Sequence, residues 1–464
     1  MKSKHILFRI LIVVFLSMTL MGCPPITQPT ITDEAGFIYM QPYLAEYYTV
    51  FLDNFVDQET ITVPSEFNGL PITEVGQINV SSENQVKHII LPDTIVSISS
   101  YAFFGFSNLE SIDLPDSVER IGSGAFQNCS SLIEITIPEG VSTLSHNIFV
   151  GCISLEKVSL PASLSTIEEV SFVQCFALTE VDIAPGNVSF LFEDNMIFNH
   201  DKSTLVVYLP SNKLEEFSIP SGVIAIADCA FMYDEYLKSV IISEGVETIG
   251  SNAFGMMLQL NTVVISGSVK SIGNSAFQNS TELKYVTLNE GLQVIGTNAF
   301  YMCESLETIQ IPASVEIIND NAFGYCSSLQ RLTVDSMSGH FESIEGVLYT
   351  KDLQVLLIYP AGIESDTFVI PSCVRLVLES SFESNMYLRT LIISSGVTTI
   401  EMNAFAYCFL LHEVYIPLSV TEIEGNAFYG YSGVTFYCEA NSKPEGWSQR
   451  WLMSEQTVIW GWEG

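Results

Sequence analysis

Ten cysteines are the residues of this 464-residue chain whose type could support metal or redox chemistry. A structural metal site needs four converging ligands, and a disulfide needs two sulfurs that face each other. Six of the ten share one position, three residues after a recurring phenylalanine: Cys129, Cys152, Cys175, Cys303, Cys326 and Cys408. Other copies of that position carry unrelated side chains: Phe106, Met257, Ser280 and Asn385. Equivalent side chains of stacked repeats point in parallel, so we predict reduced, packed thiols and no metal site.

The other chemistry-bearing residues do not form a catalytic pattern. The five histidines beyond residue 22 are scattered over different repeat positions, without a His-Glu-x-x-His, calcium-loop or glycine-rich phosphate pattern: His88, His146, His200, His340 and His412. Ser154 and Lys157 match the Ser-x-x-Lys spacing of some serine nucleophiles. Equivalent copies end in Glu134 and Thr308 instead of lysine, so the match belongs to the repeat. The sequence predicts no enzyme and no cofactor.

Phenylalanine marks the structural unit that positions all of these residues. It recurs twelve times, and neighbours inside each of three blocks have the same spacing, as in 126 − 103 = 23: Phe103, Phe126, Phe149, Phe172; Phe231, Phe254, Phe277, Phe300, Phe323; Phe382, Phe405, Phe428. A fixed period of this size is typical of a solenoid, in which one unit is copied and stacked. Each copy contains alternating apolar residues and often a proline that ends a short strand, as in Ile135, Ile137 and Pro138. We predict a mainly β repeat solenoid of short parallel strands.

The repeated phrase resembles the bacterial surface leucine-rich repeats of the BspA-like type. Ala125-Phe126, Cys129, Leu132, the strand and Pro138 follow one another in the order of that family's unit, and the likeness extends from about residue 37 to the end. The resemblance implies a leucine-rich-repeat stack. It also implies adhesion to proteins of a host, its matrix or a neighbouring cell.

Two interruptions and two atypical ends define the expected organisation. The steps from Phe172 to Phe231 and from Phe323 to Phe382 are longer than the others and equal to each other (231 − 172 = 382 − 323 = 59), and the extra segments align as two apolar strands around a polar turn. They are predicted to be hairpin inserts, at about 186–218 and 335–369. An open stack needs its end strands covered, so we expect an N-terminal cap at 37–85, a solenoid at 86–436 and a tryptophan-rich C-terminal cap at 437–464.

The segment 1–22 is typical of an export signal, with Lys2 and Lys4 before an apolar stretch. Leu20-Met21-Gly22-Cys23 resembles the lipobox of bacterial lipoproteins, which implies acylation of Cys23. Several acyl chains anchor a protein stably without a spanning helix. We therefore expect a protein lipid-anchored to the outer face of a bacterial membrane, with a Pro/Thr-rich tether at 23–36. A plain secretory signal with an incidental cysteine is the alternative.

The charge of the chain limits its partners. Seventeen basic and 53 acidic residues give a net charge of −36, which opposes binding to nucleic acid and to anionic lipid. The same acidity keeps a long exposed solenoid soluble. We expect protein partners on a host or neighbouring cell, and contact with the membrane through the lipid anchor alone.

The outward face of the strands is the predicted binding surface, because it carries apolar residues on neighbouring repeats of the middle block. The candidate residues are Ile241, Val264, Tyr285, Gln310 and Arg331, and the last block adds Ile392 and Tyr415. An alternative aromatic site for sugar binding or hydrolysis is the tail: Trp447, Trp451, Trp460 and Trp462. Rings clustered in this way also suit a capping core. A passive surface spacer is a third possibility.

The lipid anchor leads to the first prediction. Cys23 alone follows the apolar segment at the cleavage distance, so Cys23→Ala should abolish acyl labelling and release the chain from the membrane fraction. Labelling of the variant at the wild-type level would show that the anchor is elsewhere.

Overall fold

The structure is a computed structural model that describes residues 30–33, 36–42, 45–52, 58–77, 85–430, 433–452 and 456–463. The expected signal segment 1–22 and Cys23 lie outside these residues. The described part is a solenoid of β-strands with one short 3-10 helix and two antiparallel inserts. No helix in this part has the length and apolar character that crossing a membrane requires. The predicted fold class is confirmed.

Each repeat contributes one rung with two strands. In the rung that ends at Phe149, the longer strand is Glu134–Thr136 and a second strand is Thr143–Leu144. Both pair in parallel with the same strands of the next rung: Ile135 with Val158, and Leu144 with Ile167. The sequence predicted the first ladder and missed the second. A two-residue strand is too short to show an alternating pattern.

The strands follow the blocks in chain order. At the N-terminus are β1 Thr30–Thr32, β2 Phe37–Met40, β3 Tyr48–Leu52, β4 Thr60–Thr62, β5 Glu66–Phe67 and β6 Leu70–Val75. The first block holds β7 His88–Ile90, β8 Ser97–Ile98, β9 Ser111–Asp113, β10 Arg120–Ile121, β11 Glu134–Thr136, β12 Thr143–Leu144, β13 Lys157–Leu160, β14 Thr166–Ile167 and β15 Glu180–Ile183. The first insert holds β16 Phe190–Glu193, β17 Met196–Asn199, β18 Thr204–Tyr208 and the 3-10 helix Pro210–Asn212.

The second block, second insert and third block repeat this arrangement. The second block holds β19 Glu216–Ser218, β20 Ala225–Ile226, β21 Ser239–Ile242, β22 Thr248–Ile249, β23 Thr262–Ile265, β24 Ser271–Ile272, β25 Tyr285–Leu288, β26 Val294–Ile295, β27 Thr308–Ile311, β28 Ile317–Ile318 and β29 Arg331–Val334. The second insert holds β30 Phe341–Ile344, β31 Val347–Thr350 and β32 Val355–Ile358. The remainder holds β33 Thr367–Val369, β34 Leu376–Val377, β35 Thr390–Ile392, β36 Thr399–Ile400, β37 Glu413–Ile416, β38 Glu422–Ile423, β39 Thr435–Cys438 and β40 Thr457–Trp460.

The recurring phenylalanines form a column inside each block. Phe277 is fully buried and stacks on Phe254 at 5.2 Å and on Phe300 at 5.1 Å between ring centroids, with planes within 5° of parallel. The backbone supports the column, because the Phe277 N–H donates to the Ala299 carbonyl of the next rung at 2.8 Å. The residues two before and two after the phenylalanine, Ser275 and Asn279, have positive φ. Asparagine tolerates this conformation better than most residues do, which explains its frequency there.

The cysteine position forms a second internal column. Cys152 and Cys326 are fully buried, and their Sγ atoms donate to the carbonyls of Phe126 and Phe300 of the preceding rung, both at 3.1 Å. Ser280, at the same position, donates its hydroxyl to the Phe254 carbonyl at 3.0 Å. A small donor therefore suits the position, and none of the described cysteines forms a disulfide in the structure.

Each insert lies between two separate hydrophobic cores. In the first insert, β17 pairs antiparallel with both β16 and β18, and β18 then pairs in parallel with β20. Ile197 belongs to the core of the first block, whereas Met196 and Phe198 belong to that of the second. The sequence predicted the β17–β18 hairpin and missed β16. In the second insert, Leu348 and Tyr349 divide in the same way between the second and third cores.

Both ends are capped by segments that continue the ladders. At the N-terminus, β4 pairs in parallel with β7, and β6 pairs in parallel with β8. At the C-terminus, β39 and β40 extend the sheet of the third block in parallel. Val80, expected at the position of a first phenylalanine, lies outside the described residues.

The phenylalanine column predicts a large loss of stability on truncation. Phe277→Ala removes a ring packed on both faces, so the free energy of unfolding should fall by roughly 3 to 5 kcal/mol. Denaturant unfolding of the variant and the wild type measures the difference. A loss below about 1 kcal/mol would contradict a buried, stacked ring.

The cysteine column predicts thiols that react only after unfolding. Burial raises the pKa of Cys152, Cys326 and Cys408 to about 12, so these thiols stay protonated at neutral pH. Mass spectrometry after alkylation should find Cys152 and Cys326 unmodified in the folded protein and free in the unfolded, unreduced protein. The exposed Cys373 is the control that should react in both states. A bridge between Cys129 and Cys152 would overturn this prediction.

Candidate binding surface

The outward face of the long strands carries two side-chain rows in the middle block. Strand β21 alternates outward and buried positions, with Ser239 and Ile241 outward. Ile241 pairs with Val264 and then Thr287, while Tyr285 pairs with Thr262 in the other row. Gln310 and Arg331 fall into these two rows as well, and both are exposed. The structure therefore places all five predicted residues outward on neighbouring rungs, divided between two rows.

The middle block presents only a short apolar run. Ile241 is 44% exposed and Tyr285 is 57% exposed. Beyond Val264 the row continues with the polar side chains of Thr287 and Gln310. The Lys284 ammonium lies 5.7 Å from the centre of the Tyr285 ring and also pairs with Glu307 at 2.8 Å. This part of the face therefore combines apolar, polar and charged side chains.

The first block presents charge on the same face. Lys157 Nζ lies 2.6 Å from Asp182 Oδ2 and 3.2 Å from Glu180 Oε2, and these two carboxylates raise the pKa of the lysine. Lys157 is the lysine of the Ser-x-x-Lys match with Ser154, and it is paired with these carboxylates. Asp113 and Glu134 are exposed on neighbouring rungs.

The last block carries the longest apolar row, which the sequence reasoning found only in part. Successive strands align Val369, Ile392, Tyr415, Tyr437 and Ile459 in one register. The register signal was present in the sequence, although the step shortens by one position after Tyr415 (415 − 392 = 23, but 437 − 415 = 459 − 437 = 22). We call these five residues the C-terminal row.

Aromatic contacts hold the centre of the C-terminal row in place. Tyr415 and Tyr437 stack at 4.7 Å with planes 9° apart. Trp462 lies 5.0 Å from Tyr415 and 5.9 Å from Tyr437, at tilted angles. The Tyr415 hydroxyl donates to Glu413 Oε2 at 3.3 Å, so its orientation is fixed. Three half-buried rings thus form one partly exposed surface.

The alternative site of four tryptophans does not form as one exposed surface. Trp447 is 2% exposed and Trp451 is 4% exposed, because both close the core of the third block. The indole Nε1 of Trp447 donates to the Val420 carbonyl at 3.1 Å. Trp460 packs against the same core, and only Trp462 belongs to the outward surface. Two of the four rings therefore have no face available for a sugar.

The acidic group Glu439 near the tail is engaged with the backbone. The Glu439 carboxylate accepts the Leu418 backbone N–H at 2.8 Å, and Glu455 lies outside the described residues. Across the described ranges, no group of three or more His, Cys, Asp or Glu side chains is arranged to hold a metal ion.

Several solved structures are similar to this chain. A leucine-rich repeat protein from Eubacterium ventriosum is 21% identical, with a TM-score of 0.51 over 87% of this chain and 95% of that chain. A leucine rich cell surface protein from Faecalibacterium prausnitzii is 24% identical, with a TM-score of 0.45 over 67% of this chain and 96% of that chain. The pneumococcal vaccine antigen PcpA is 17% identical, with a TM-score of 0.40 over 93% of this chain and 85% of that chain. No curated protein matches the chain.

The family comparison covers all three blocks. The family model described as "BspA type Leucine rich repeat region (6 copies)" matches residues 75–203, 207–330 and 361–439, which together exceed half of the chain. The sequence resemblance to BspA-like repeats is confirmed, and this protein belongs to the BspA-type leucine-rich repeat family.

Proposed function

We propose that this protein binds a protein partner through the outward face of its strands, with the C-terminal row as the centre of contact. The observation that carries the proposal is the unbroken apolar register from Val369 to Ile459, with Trp462 beside it. Aromatic side chains are enriched where protein interfaces gain most of their binding energy. The family is one of surface leucine-rich-repeat proteins, which agrees with a binding role.

The size of the surface suits a specific interface. Parallel rungs lie about 4.8 Å apart, so the five rungs of the C-terminal row span about 19 Å. A specific protein contact needs about 800 Å² from each partner, so a partner would also contact the more polar side chains beside this row. An apolar centre with a polar border is the usual arrangement of such interfaces.

The charged first block adds a second property to the proposed interface. Its exposed acidic side chains and the net charge of −36 favour partners with a basic surface. Charges at the rim of an interface mainly change how fast partners associate. We expect the first block to attract the partner and the C-terminal row to hold it.

The proposed setting is the outer surface of a bacterial cell, with the chain attached through acylated Cys23. The motif Leu20–Cys23 supports this placement. Partners would then be proteins of a host, its matrix or a neighbouring cell. Within this proposal the protein acts by binding rather than catalysis.

The contact centre can be tested by comparing two tyrosines of the outward face, the half-buried Tyr437 and the exposed Tyr285. The chain from Thr30 onward is first used to capture a partner from matrix and cell-surface extracts, and its affinity is then measured with variants. Tyr437→Ala should weaken binding by about 2 kcal/mol or more, as loss of a buried aromatic anchor does. Tyr285→Ala, on the middle block, is the matched control and should bind with nearly unchanged affinity.

The same measurements separate the competing surfaces. If Tyr285→Ala weakens binding and Tyr437→Ala does not, the middle block predicted from the sequence is the contact centre, and our assignment to the C-terminal row is wrong. Replacement of Asp113 and Glu180 together should alter mainly the association rate and its salt dependence. Thermal unfolding of each variant serves as the check that the fold is intact.

A further inference from the structure

The joint between the first and second blocks lacks bonds that the regular rungs of the second block make. In the second block, the N–H groups of Ser275, Phe277 and Asn279 all donate to carbonyls of the next rung at 2.8 Å. The corresponding N–H groups of Val170, Phe172 and Gln174 have no carbonyl partner among the described residues. A cleft of about 210 Å³ opens there, between the Phe172 rung and the first insert. At the second insert, the corresponding N–H groups of Asn321, Phe323 and Tyr325 also have no carbonyl partner among the described residues. Each insert is instead paired to the block that follows it, through β18 with β20 and β32 with β34.

The second insert provides an internal comparison. Residues there lie 151 positions further on, since 359 − 208 = 151 and 385 − 234 = 151. Tyr359 corresponds to Tyr208 and lines the equivalent cleft at the second insert, whose volume is about 40 Å³. Asn385 replaces Asp234, and both side chains are buried, at 0% and 3% exposure.

Asn385 joins the second insert to the third block with all of its hydrogen-bonding atoms. Its Oδ1 accepts the N–H groups of Tyr387 and Leu388 at 2.9 and 2.8 Å. Its Nδ2 donates to the insert carbonyls of Ala361 at 3.0 Å and Ile363 at 3.4 Å. Asn187 makes the same pattern, with Nδ2 on the carbonyls of Pro161 and Leu164 at 3.0 and 2.9 Å.

Asp234 makes the acceptor half of this hydrogen-bond pattern. Its Oδ1 accepts the N–H groups of Tyr236 and Leu237 at 2.8 and 2.7 Å. Its Oδ2 takes the place of the amide nitrogen, is buried, and has no hydrogen-bond partner.

By the equivalence of the two inserts, we expect Oδ2 to face the carbonyl of Pro210, the counterpart of Ala361 (361 − 151 = 210). The hydroxyls of Tyr208 and Ser211 in the same segment are buried without a partner as well. A carboxylate cannot donate to a carbonyl, but a protonated carboxyl can.

We propose that a proton held on Oδ2 of Asp234 latches the first insert to the second block, and that loss of this proton as the pH rises loosens the joint. The proton supplies the donor that Asn385 supplies with its amide. A metal ion is the less suitable occupant, because no metal-ligating cluster of His, Cys, Asp and Glu exists within the described ranges and an ion needs several ligands.

The surroundings of Asp234 favour the neutral acid. Burial raises its pKa above the ordinary value of 3.8, and the nearby Glu235 raises it further, whereas the two backbone N–H groups lower it. From the elements packed around the cleft, the ionisable groups are Tyr208, Cys229, Glu168, Glu169, Asp228 and Tyr233, and the lining contains no lysine or arginine. Lys213 lies over the Tyr236 ring instead.

The sign of the pH dependence follows from this direction. The folded protein holds the Asp234 proton more tightly than the unfolded chain, so the latch contributes fully below the unfolded pKa of about 3.9. The contribution decreases as the pH rises and is lost above the raised folded pKa. Each pH unit in between changes the local opening equilibrium by up to about tenfold, which is the effect of one proton.

The test compares amide hydrogen exchange in the wild type and Asp234→Asn at the same pH, between about pH 4 and about pH 8. Asparagine is the natural residue at 187 and 385, so this variant should fold. We expect the exchange of the Tyr208 amide, which donates to the Ala230 carbonyl of the second block at 2.9 Å, to match in the two proteins at low pH. With rising pH, exchange in the wild type should become progressively faster than in Asp234→Asn.

The reverse substitution should transfer the pH dependence to the second insert. Asn385→Asp should make exchange of the Tyr359 amide, which donates to the Ser381 carbonyl at 2.8 Å, depend on pH relative to the wild type, while the Tyr208 amide keeps its original behaviour. A ratio between wild type and Asp234→Asn that stays constant with pH would overturn the proposal. Protection of the wild-type joint by added Ca²⁺ at neutral pH, absent in Asp234→Asn, would overturn it as well, by showing a cation in place of the proton.

Discussion

Register between neighbouring rungs is the constraint on which the rest of this structure depends. Parallel pairing at a fixed sequence offset places each side chain directly beside its own copy, as for Ile135 and Val158. A core position must therefore accept a stack of like residues. Phenylalanine meets that condition by offset ring stacking, and cysteine or serine meets it by donating to the carbonyl of the preceding rung.

The same register governs the exterior. On the outward face the register places Tyr415 beside Tyr437, which gives an apolar row, and Lys157 beside Glu180, which gives a charged surface. Repetition of charge is costly at short distance, and Lys157 offsets it locally by pairing with the carboxylates of Glu180 and Asp182. Differences between the blocks therefore appear as changes of surface character along one continuous axis.

Much of the fold was predictable because large apolar residues recur at a fixed period. The phenylalanine column, the longer strand of each rung, the cysteine column and the β17–β18 hairpin all follow from spacing and alternation. The short ladder through Leu144 and Ile167 was missed, because two-residue strands give no periodic signal. The proposed binding face was only partly predictable, since the two outward rows of a strand show the same alternating pattern in the sequence. Tyr437 and Ile459 were missed because the step shortens by one position in the tail. Asp234 was missed because its significance depends on what the equivalent Asn385 contacts.

The two-sided inserts have a mechanical consequence. Alternate residues of β17 serve different cores, so the described part of the molecule contains three hydrophobic units joined in series. Within that part, the phenylalanine rungs that precede the two inserts lack the backbone bonds to the next rung that regular rungs make. A pulling force along the chain is borne by every unit equally, and the weakest joint yields first. We expect such a molecule to lengthen in steps under force rather than to unfold all at once. Each block that unfolds would dissipate work while the remaining blocks keep their surfaces intact.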